Sequence, residues 1–415
     1  MRLRLLLALS GMLLLAACPQ DEEKDPALEP VEFTPGVAVA EPATPTNAAI
    51  EVAVAYDGTR THLVYCQNDG AGDHDIMYTA RVGAGSFALP APVFPGSVVD
   101  SREPHVCLDG TGTLHIVWEE GTSPNREIYY ATINASGSIS AATPLTATTE
   151  DEANPRVHVD STNRVHVVWE GSTPPPTPTS SIFYRRTQAS VFLAAVVLPK
   201  ANGSQPAEMP DICTDAGDRV YVVWSEQNGS ARNIRLLRSD DNGANFGATG
   251  NGFAAHGGVD LTQPRIAGGT DGEIFLVFIG QDSQGERAVF ATFTRTGYSM
   301  ASPGQLSNNQ TGGIRDPSIA VHEQSNGQFT VVVAWNDGGA TGGNMMVHAS
   351  HDSGEHYPGD PTDLSQGNTQ PASNRRPMIA VDDNELIAAW DGQPQGGGVV
   401  RAWLSNSSYK LPKKK

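Results

Sequence analysis

An all-β fold, a β-propeller of seven four-stranded blades, is what the sequence predicts. Three observations predict it. A unit of about 54 residues recurs seven times along the chain. The composition is turn-rich, with 43 Gly and 29 Pro among 415 residues. An N-terminal segment supplies the strand that the last unit lacks.

The repeat is read from its landmarks. An aromatic residue closes an apolar strand at Tyr65, Trp118, Trp169, Trp224, Phe278, Trp335 and Trp390. From the second unit on, a proline stands upstream of it, at Pro104, Pro155, Pro210, Pro264, Pro317 and Pro377. Between proline and aromatic the grammar is constant, as in PHVCLDGTGTLHIVW, PRVHVDSTNRVHVVW and PDICTDAGDRVYVVW. Each reads as a β-branched strand, a tight Asp/Gly turn and a second strand. A third strand follows at Ile76–Tyr78, Ile128–Tyr130, Ile182–Tyr184 and Met345–Val347. A weaker fourth segment leads into the next proline. The seventh unit ends without a clear fourth strand, and residues 31–46 resemble the fourth segments elsewhere. They are expected to close the last blade and so remove its open edge. Hydrophobic residues make up 39% of the chain, enough to bury a sizeable core.

The formal net charge of −19 excludes nucleic acid as a partner, since nothing would release counterions from phosphates. At the N-terminus Arg2 and Arg4 precede an apolar run, Leu5 to Leu15, too short for a permanent membrane span. Leu15-Ala16-Ala17-Cys18 resembles the lipobox of bacterial lipoproteins, which implies cleavage before Cys18 and lipidation of its thiol. The expected organisation is a signal peptide over 1–17, lipidated Cys18 with an acidic tether over 18–30, and a propeller over 31–415 with repeats from 48. The acidic, Pro-bearing tether would hold the domain off the bilayer. Such a protein would be an envelope monomer, anchored by lipid, at the outer membrane. Cys66, Cys107 and Cys213 carry no metal-ligand spacing and read as buried small apolar residues, with a Cys66–Cys107 disulfide as the alternative. No nucleotide, metal or cofactor motif is present, so no cofactor and no metal are expected. The acidic loop Asp69–Asp75 lacks EF-hand spacing, and His158 and His166 read as structural.

Two turns carry a family resemblance. Ser239, Asp241, Gly243 and Phe246, and again Ser350, Asp352, Gly354 and Tyr357, fit S-x-D-x-G-x-x-aromatic. The pattern is similar to the Asp box, or BNR repeat, of sialidase-like propellers. In that family the boxes are structural and lie on the face opposite the binding site. The resemblance therefore implies a site on the other face. There, acids follow the aromatic in five units, at Glu119 and Glu120, Glu170, Glu226, Asp337 and Asp391. Arginines precede the proline at Arg102, Arg315, Arg375 and Arg376. Carboxylates brought close raise each other's pKa and can serve as acid and base, while arginines grip carboxylates with two parallel bonds. No catalytic residue is assigned; for an enzyme the candidates would be Glu120, Glu170, Glu226, Asp337 and Asp391, and the ligand-binding candidates are the four arginines. The sialidase Arg-Ile-Pro motif is absent at Asn47–Glu51, and no residue takes over the nucleophilic tyrosine. The expected function is a non-catalytic binding or scaffolding module for a glycan or an envelope protein. The alternative is a sialidase-like glycoside hydrolase acting on acidic sugars.

Overall fold

The computed structural model describes residues 37–40 and 48–408, except 69, 71, 173–178, 202, 204, 248–251, 254–259, 271, 296–298, 309, 312, 339–342, 366–368, 382–384 and 395–400; over 37–40, 252–253, 295, 299–300, 310–311, 369–376, 393–394, 401 and 406–408 the description covers the backbone only. Cys18, the signal peptide and the tether lie outside the described residues. Every regular element among the described residues is a strand, and the strands form seven antiparallel sheets. The first strands of the seven blades are Ala49–Tyr56, Ser101–Leu108, Asp151–Val159, Ala207–Thr214, Asp260–Gly268, Arg315–Glu323 and Thr369–Val381. They pack against one another around the axis. Second and third strands follow outward, and a short fourth strand, only two residues in several blades, completes each sheet.

The last sheet is closed by the N-terminus. Val37–Ala40 pairs antiparallel with Arg401–Ser408, Val37 opposite Leu404 and Ala38 opposite Trp403. The first and last blades are thereby sewn together, and the outer side of Arg401–Ser408 is covered.

Seven closing aromatics, Tyr65, Trp118, Trp169, Trp224, Phe278, Trp335 and Trp390, are at most 1% exposed. They sit in apolar layers that lie between blades, such as the layer that joins Ile182 and Tyr184 of blade 3 to Ile212 and Trp224 of blade 4. No blade could bury this face alone, which is why the period had to close into a ring. Alternation along the second strands is suppressed for the same reason: Leu114–Glu120 is buried at every position, because each sheet is covered on both faces.

The turns joining first and second strands share one device. Asp109 Oδ1 accepts bonds from the N–H groups of Thr111 and Thr113, both at 2.8 Å, and Asp160 and Asp215 do the same for their turns. The second oxygen of Asp160 faces His166 Nε2 at 3.2 Å, while His166 Nδ1 lies 2.7 Å from Tyr184 Oη. His62 and His115 repeat the arrangement with Tyr78 and Tyr130. His166 is structural in this sense; His158 bonds Thr214 Oγ1 at 3.0 Å and lines the axis. Cys66, Cys107 and Cys213 are free thiols.

Candidate functional site: the axial cavity

A strained ring marks one end of the axis. Glu51, Glu103, Asn154, Met209, Gln263 and Asp316 occupy the same place in blades 1 to 6, and all have φ between 53° and 57°. Each sits at a β-bulge, where the pairing of first and second strands slips by one residue. Five of them precede a proline, which normally drives its predecessor to extended backbone. A left-handed conformation costs an L-residue about 1–2 kcal/mol, so six copies persist only because the surroundings hold them.

The holding groups are side chains from the neighbouring blade. The N–H of Glu51 donates to Asp391 Oδ2 (3.3 Å), that of Glu103 to Glu51 Oε2 (2.8 Å) and that of Asn154 to Glu119 Oε1 (2.7 Å). Met209 donates to Glu170 Oε2 (3.2 Å) and Asp316 to Gln263 Oε1 (2.8 Å). A first strand has a free edge facing the axis, and these carboxylates and amides satisfy it. Backbone strain is thus concentrated where seven blades converge on one opening.

Below the ring lies a cavity of about 550 Å³, within the usual range for small-ligand sites. Its wall is built in tiers, because alternate residues of each first strand point inward. Glu51, Glu103, Asn154, Met209, Gln263 and Asp316 form the mouth. His105, Arg156, Asp211, Arg265, Ser318 and Met378 form the waist, and Cys107, His158, Cys213 and alanines form the floor.

Charge is concentrated at the waist on blades 3, 4 and 5. Arg156 and Arg265 each donate Nη1 to the carbonyl of the preceding proline, both at 2.8 Å, which fixes the guanidiniums close to the wall. Asp211 Oδ2 accepts the Ile266 N–H at 2.9 Å. Burial pushes the Asp211 carboxyl up, and the two arginines oppose that rise. His105 Nδ1 accepts the Val157 N–H at 3.3 Å, so the ring is neutral with its proton on Nε2. Burial, reinforced by Arg156 and Arg265, holds His105 well below its ordinary range. Both guanidiniums therefore lie close enough to the axis to act on a residue from blade 2. Two cations, an imidazole N–H and the amides of Asn154 and Gln263 share the chamber with Asp211 and with the mouth acids Glu51, Glu103 and Asp316, so donors for an oxyanion stand beside acceptors for hydroxyl groups.

The acids expected around the mouth are placed elsewhere. Glu120, 6% exposed, accepts Trp118 Nε1 (2.7 Å) and the Ser101 hydroxyl (2.8 Å). Glu226, 4% exposed, accepts Trp224 Nε1 (3.0 Å). Glu119, Glu170 and Asp391 hold the next blade's bulge, as above. Asp337 accepts the Asn344 N–H (3.1 Å) within its own connection. None of these side chains lines the axial cavity. Burial pushes Glu119 up to about 7, with Glu103 adding to the rise and Arg126 opposing it. Of the arginines, Arg102 pairs with Asp100 (2.9 Å) and Glu51 (3.3 Å), and Arg315 Nε lies 3.8 Å from Asp316. They brace the acids of the mouth from outside. The side chains of Arg375 and Arg376 lie outside the description.

Sequence reasoning passed over Arg156, Arg265, His105 and Asp211, although each directly follows a landmark proline. The next residue in each case (Val157, Ile266, Val106, Ile212) is buried between blades, so alternation alone turns the post-proline residue to the axis.

The two Ser-x-Asp-x-Gly turns lie at the opposite face and share one geometry. Ser239 Oγ donates to Asp241 Oδ1 and Ser350 Oγ to Asp352 Oδ1, both at 2.7 Å. Each aspartate then accepts the N–H four residues on, and each serine that of the glycine. Gly243 and Gly354 have φ of 77° and 80°, which the turn requires.

The fold and site define a seven-bladed propeller with a polar axial chamber. No protein-family model matches the sequence, and no curated protein is detectably similar to it. Solved structures do share the fold. An ulvan lyase of a new polysaccharide lyase family superposes with a TM-score of 0.57 at 11% identity, over 91% of this chain and 95% of its own. A protein of unknown function from Dyadobacter fermentans gives 0.55 at 10%, over 76% and 97%. A Hadza microbial sialidase gives 0.51 at 13%, over 81% and 73%. At such identities the likeness is one of fold.

Proposed function

We propose that the protein is a lipid-anchored envelope propeller that binds an anionic glycan in its axial cavity without cleaving it. The observation that carries this reading is the waist: Arg156 and Arg265 share one chamber with the His105 N–H and two amides. A sugar bearing a carboxylate or sulfate would meet charge-assisted donors there, with the hydroxyls bonding to Asn154 and Gln263. Glycan-active proteins among the fold neighbours, a sialidase and a lyase solved with a glucuronate-containing ligand, support the ligand class. The lipobox-like Leu15–Cys18 supports the anchor, and the acidic tether supports a position outside the cytoplasm.

A binding role is preferred over hydrolysis because of what the buried acids do. A glycosidase needs two carboxylates flanking the scissile bond, one of them protonated. Asp211 is committed to the Ile266 N–H, Glu51 to the Glu103 N–H and to Arg102, and Glu119, Glu170 and Asp391 to the strained ring. The remaining acids that line the cavity, Glu103 and Asp316, both stand at the mouth. The soluble protein from Pro19 onward tests the reading. Titration with glucuronate-containing oligosaccharides should give saturable binding that Arg156→Gln and Arg265→Gln weaken at least tenfold, with no release of reducing ends or unsaturated product. Turnover lost in those variants would make the protein an enzyme. Absence of glycan binding, together with envelope proteins retained in pull-downs, would make it a protein-docking module. Wild-type protein that incorporates no palmitate would remove the anchor, and incorporation that survives Cys18→Ser would remove its assignment to Cys18.

A further inference from the structure

The turn of blade 6 on the opposite face carries a second candidate site. Asp352, Glu355 and His356 each offer a ligand atom, all within 4.8 Å of one another. We propose that these three side chains bind a divalent transition-metal ion of the zinc type.

The donor set is the first argument. One imidazole and two carboxylates suit zinc and its neighbours, and three protein ligands leave a position for water. Asp352 is preoriented, because its Oδ1 already accepts the Ser350 hydroxyl and the His356 N–H. Its Oδ2 faces His356 Nδ1 at 2.6 Å, so two of the three ligand atoms already stand side by side. Glu355 and His356 are exposed, and their side chains can adjust around an ion.

The cavity beside the turn is the second argument. It measures about 860 Å³ and is lined by Glu355, His356, Asp360, Gln305 and His348. His348 is only 7% exposed, and its Nε2 faces the Pro358 carbonyl at 3.3 Å. Its Nδ1 is buried with no hydrogen-bond partner. A buried acceptor left unmet is unfavourable. The wall beside the turn thus holds an imidazole nitrogen that the protein itself does not satisfy.

The molecule contains its own control. The turn of blade 4 has the same hydrogen bonds around Asp241, but it carries Ala244 and Asn245 where blade 6 has Glu355 and His356. Asn245 Nδ2 donates to Asp241 Oδ2 at 2.7 Å, so asparagine keeps the turn intact without ligating.

The test is calorimetric titration of the tag-free, chelator-stripped protein with Zn²⁺. One ion per chain should bind at neutral pH. The double variant Glu355→Ala, His356→Asn, which installs the residues of blade 4, should weaken binding at least tenfold with an unchanged melting temperature. Affinity should also fall about tenfold on acidification from pH 7 to 5.5, a measurement on the wild type that needs no variant. No stoichiometric binding, or binding indifferent to the double substitution, would overturn the assignment.

Discussion

Replacing Glu152 by glutamine should make the protein more stable at pH 8 and leave it nearly unchanged at pH 4.5. Glu152 lies on the first strand of blade 3, 1% exposed. The Thr148 hydroxyl donates to its Oε1 at 2.9 Å. Its Oε2 is buried without a partner, and the Trp169 indole faces it without reaching hydrogen-bond geometry. Blade 3 arrived at this by exchanging residues across a strand pair. In blade 2 the acid is Glu120, opposite Ser101; in blade 3 it is Glu152, opposite Gly171. A Cβ on Gly171 would stand 2.8 Å from Glu152 Oε2, so the glycine makes the room. Burial pushes the carboxyl from its ordinary 4.5 up to about 7. The unfolded chain releases this proton near 4.5 and the folded chain near 7, so the folded form holds an extra proton between those values. Stability from this group is therefore complete below pH 4.5 and lost as the pH rises through 7. At about 1.4 kcal/mol per pKa unit, the loss by pH 8 is on the order of 3 kcal/mol. Glutamine carries no such charge and keeps the Thr148 bond. Urea unfolding of both proteins at pH 4.5 and 8 measures the difference. A glutamine variant whose stability at pH 8 equals or falls below that of wild type would refute the reasoning.

Trp224→Ala should cost about 3–5 kcal/mol in thermal or urea unfolding, since the indole is fully buried between blades 3 and 4 and its loss also removes a hydrogen-bond donor from buried Glu226. Gly268→Ala should destabilise severely or abolish soluble expression: the added Cβ would stand 1.9 Å from the Thr214 carbonyl oxygen, where the first strands of blades 4 and 5 touch backbone to backbone. Deleting residues up to Ala40 should lower the melting temperature by several degrees and produce oligomers in size-exclusion chromatography, because it bares the outer edge of Arg401–Ser408. Cys66 and Cys213 should react with a thiol reagent only after unfolding, since burial pushes both thiols well up.

The repeat and its closure were determined by the sequence alone, because they rest on local chemistry. An aromatic residue every fifty-odd residues, Asp/Gly turns and β-branched strands each specify their own blade without knowledge of the others, and residues 31–46 contain the closing strand Val37–Ala40. Which residues meet at the axis was decided only by tertiary structure. A bulge adds one residue to each first strand, so alternation counted from one side does not carry across it. Arg102 thus falls outside the mouth while Glu103 turns into it. The acids after each aromatic looked like a ring around a site because nothing in the sequence shows that the neighbouring blade presents a free N–H within their reach. Glu119, Glu170 and Asp391 answer that demand, and the chamber below the ring passes to Arg156, Asp211 and Arg265. A first strand's free edge exists only when seven blades surround an axis, so the residues that satisfy it are set by the assembled ring and not by any single repeat.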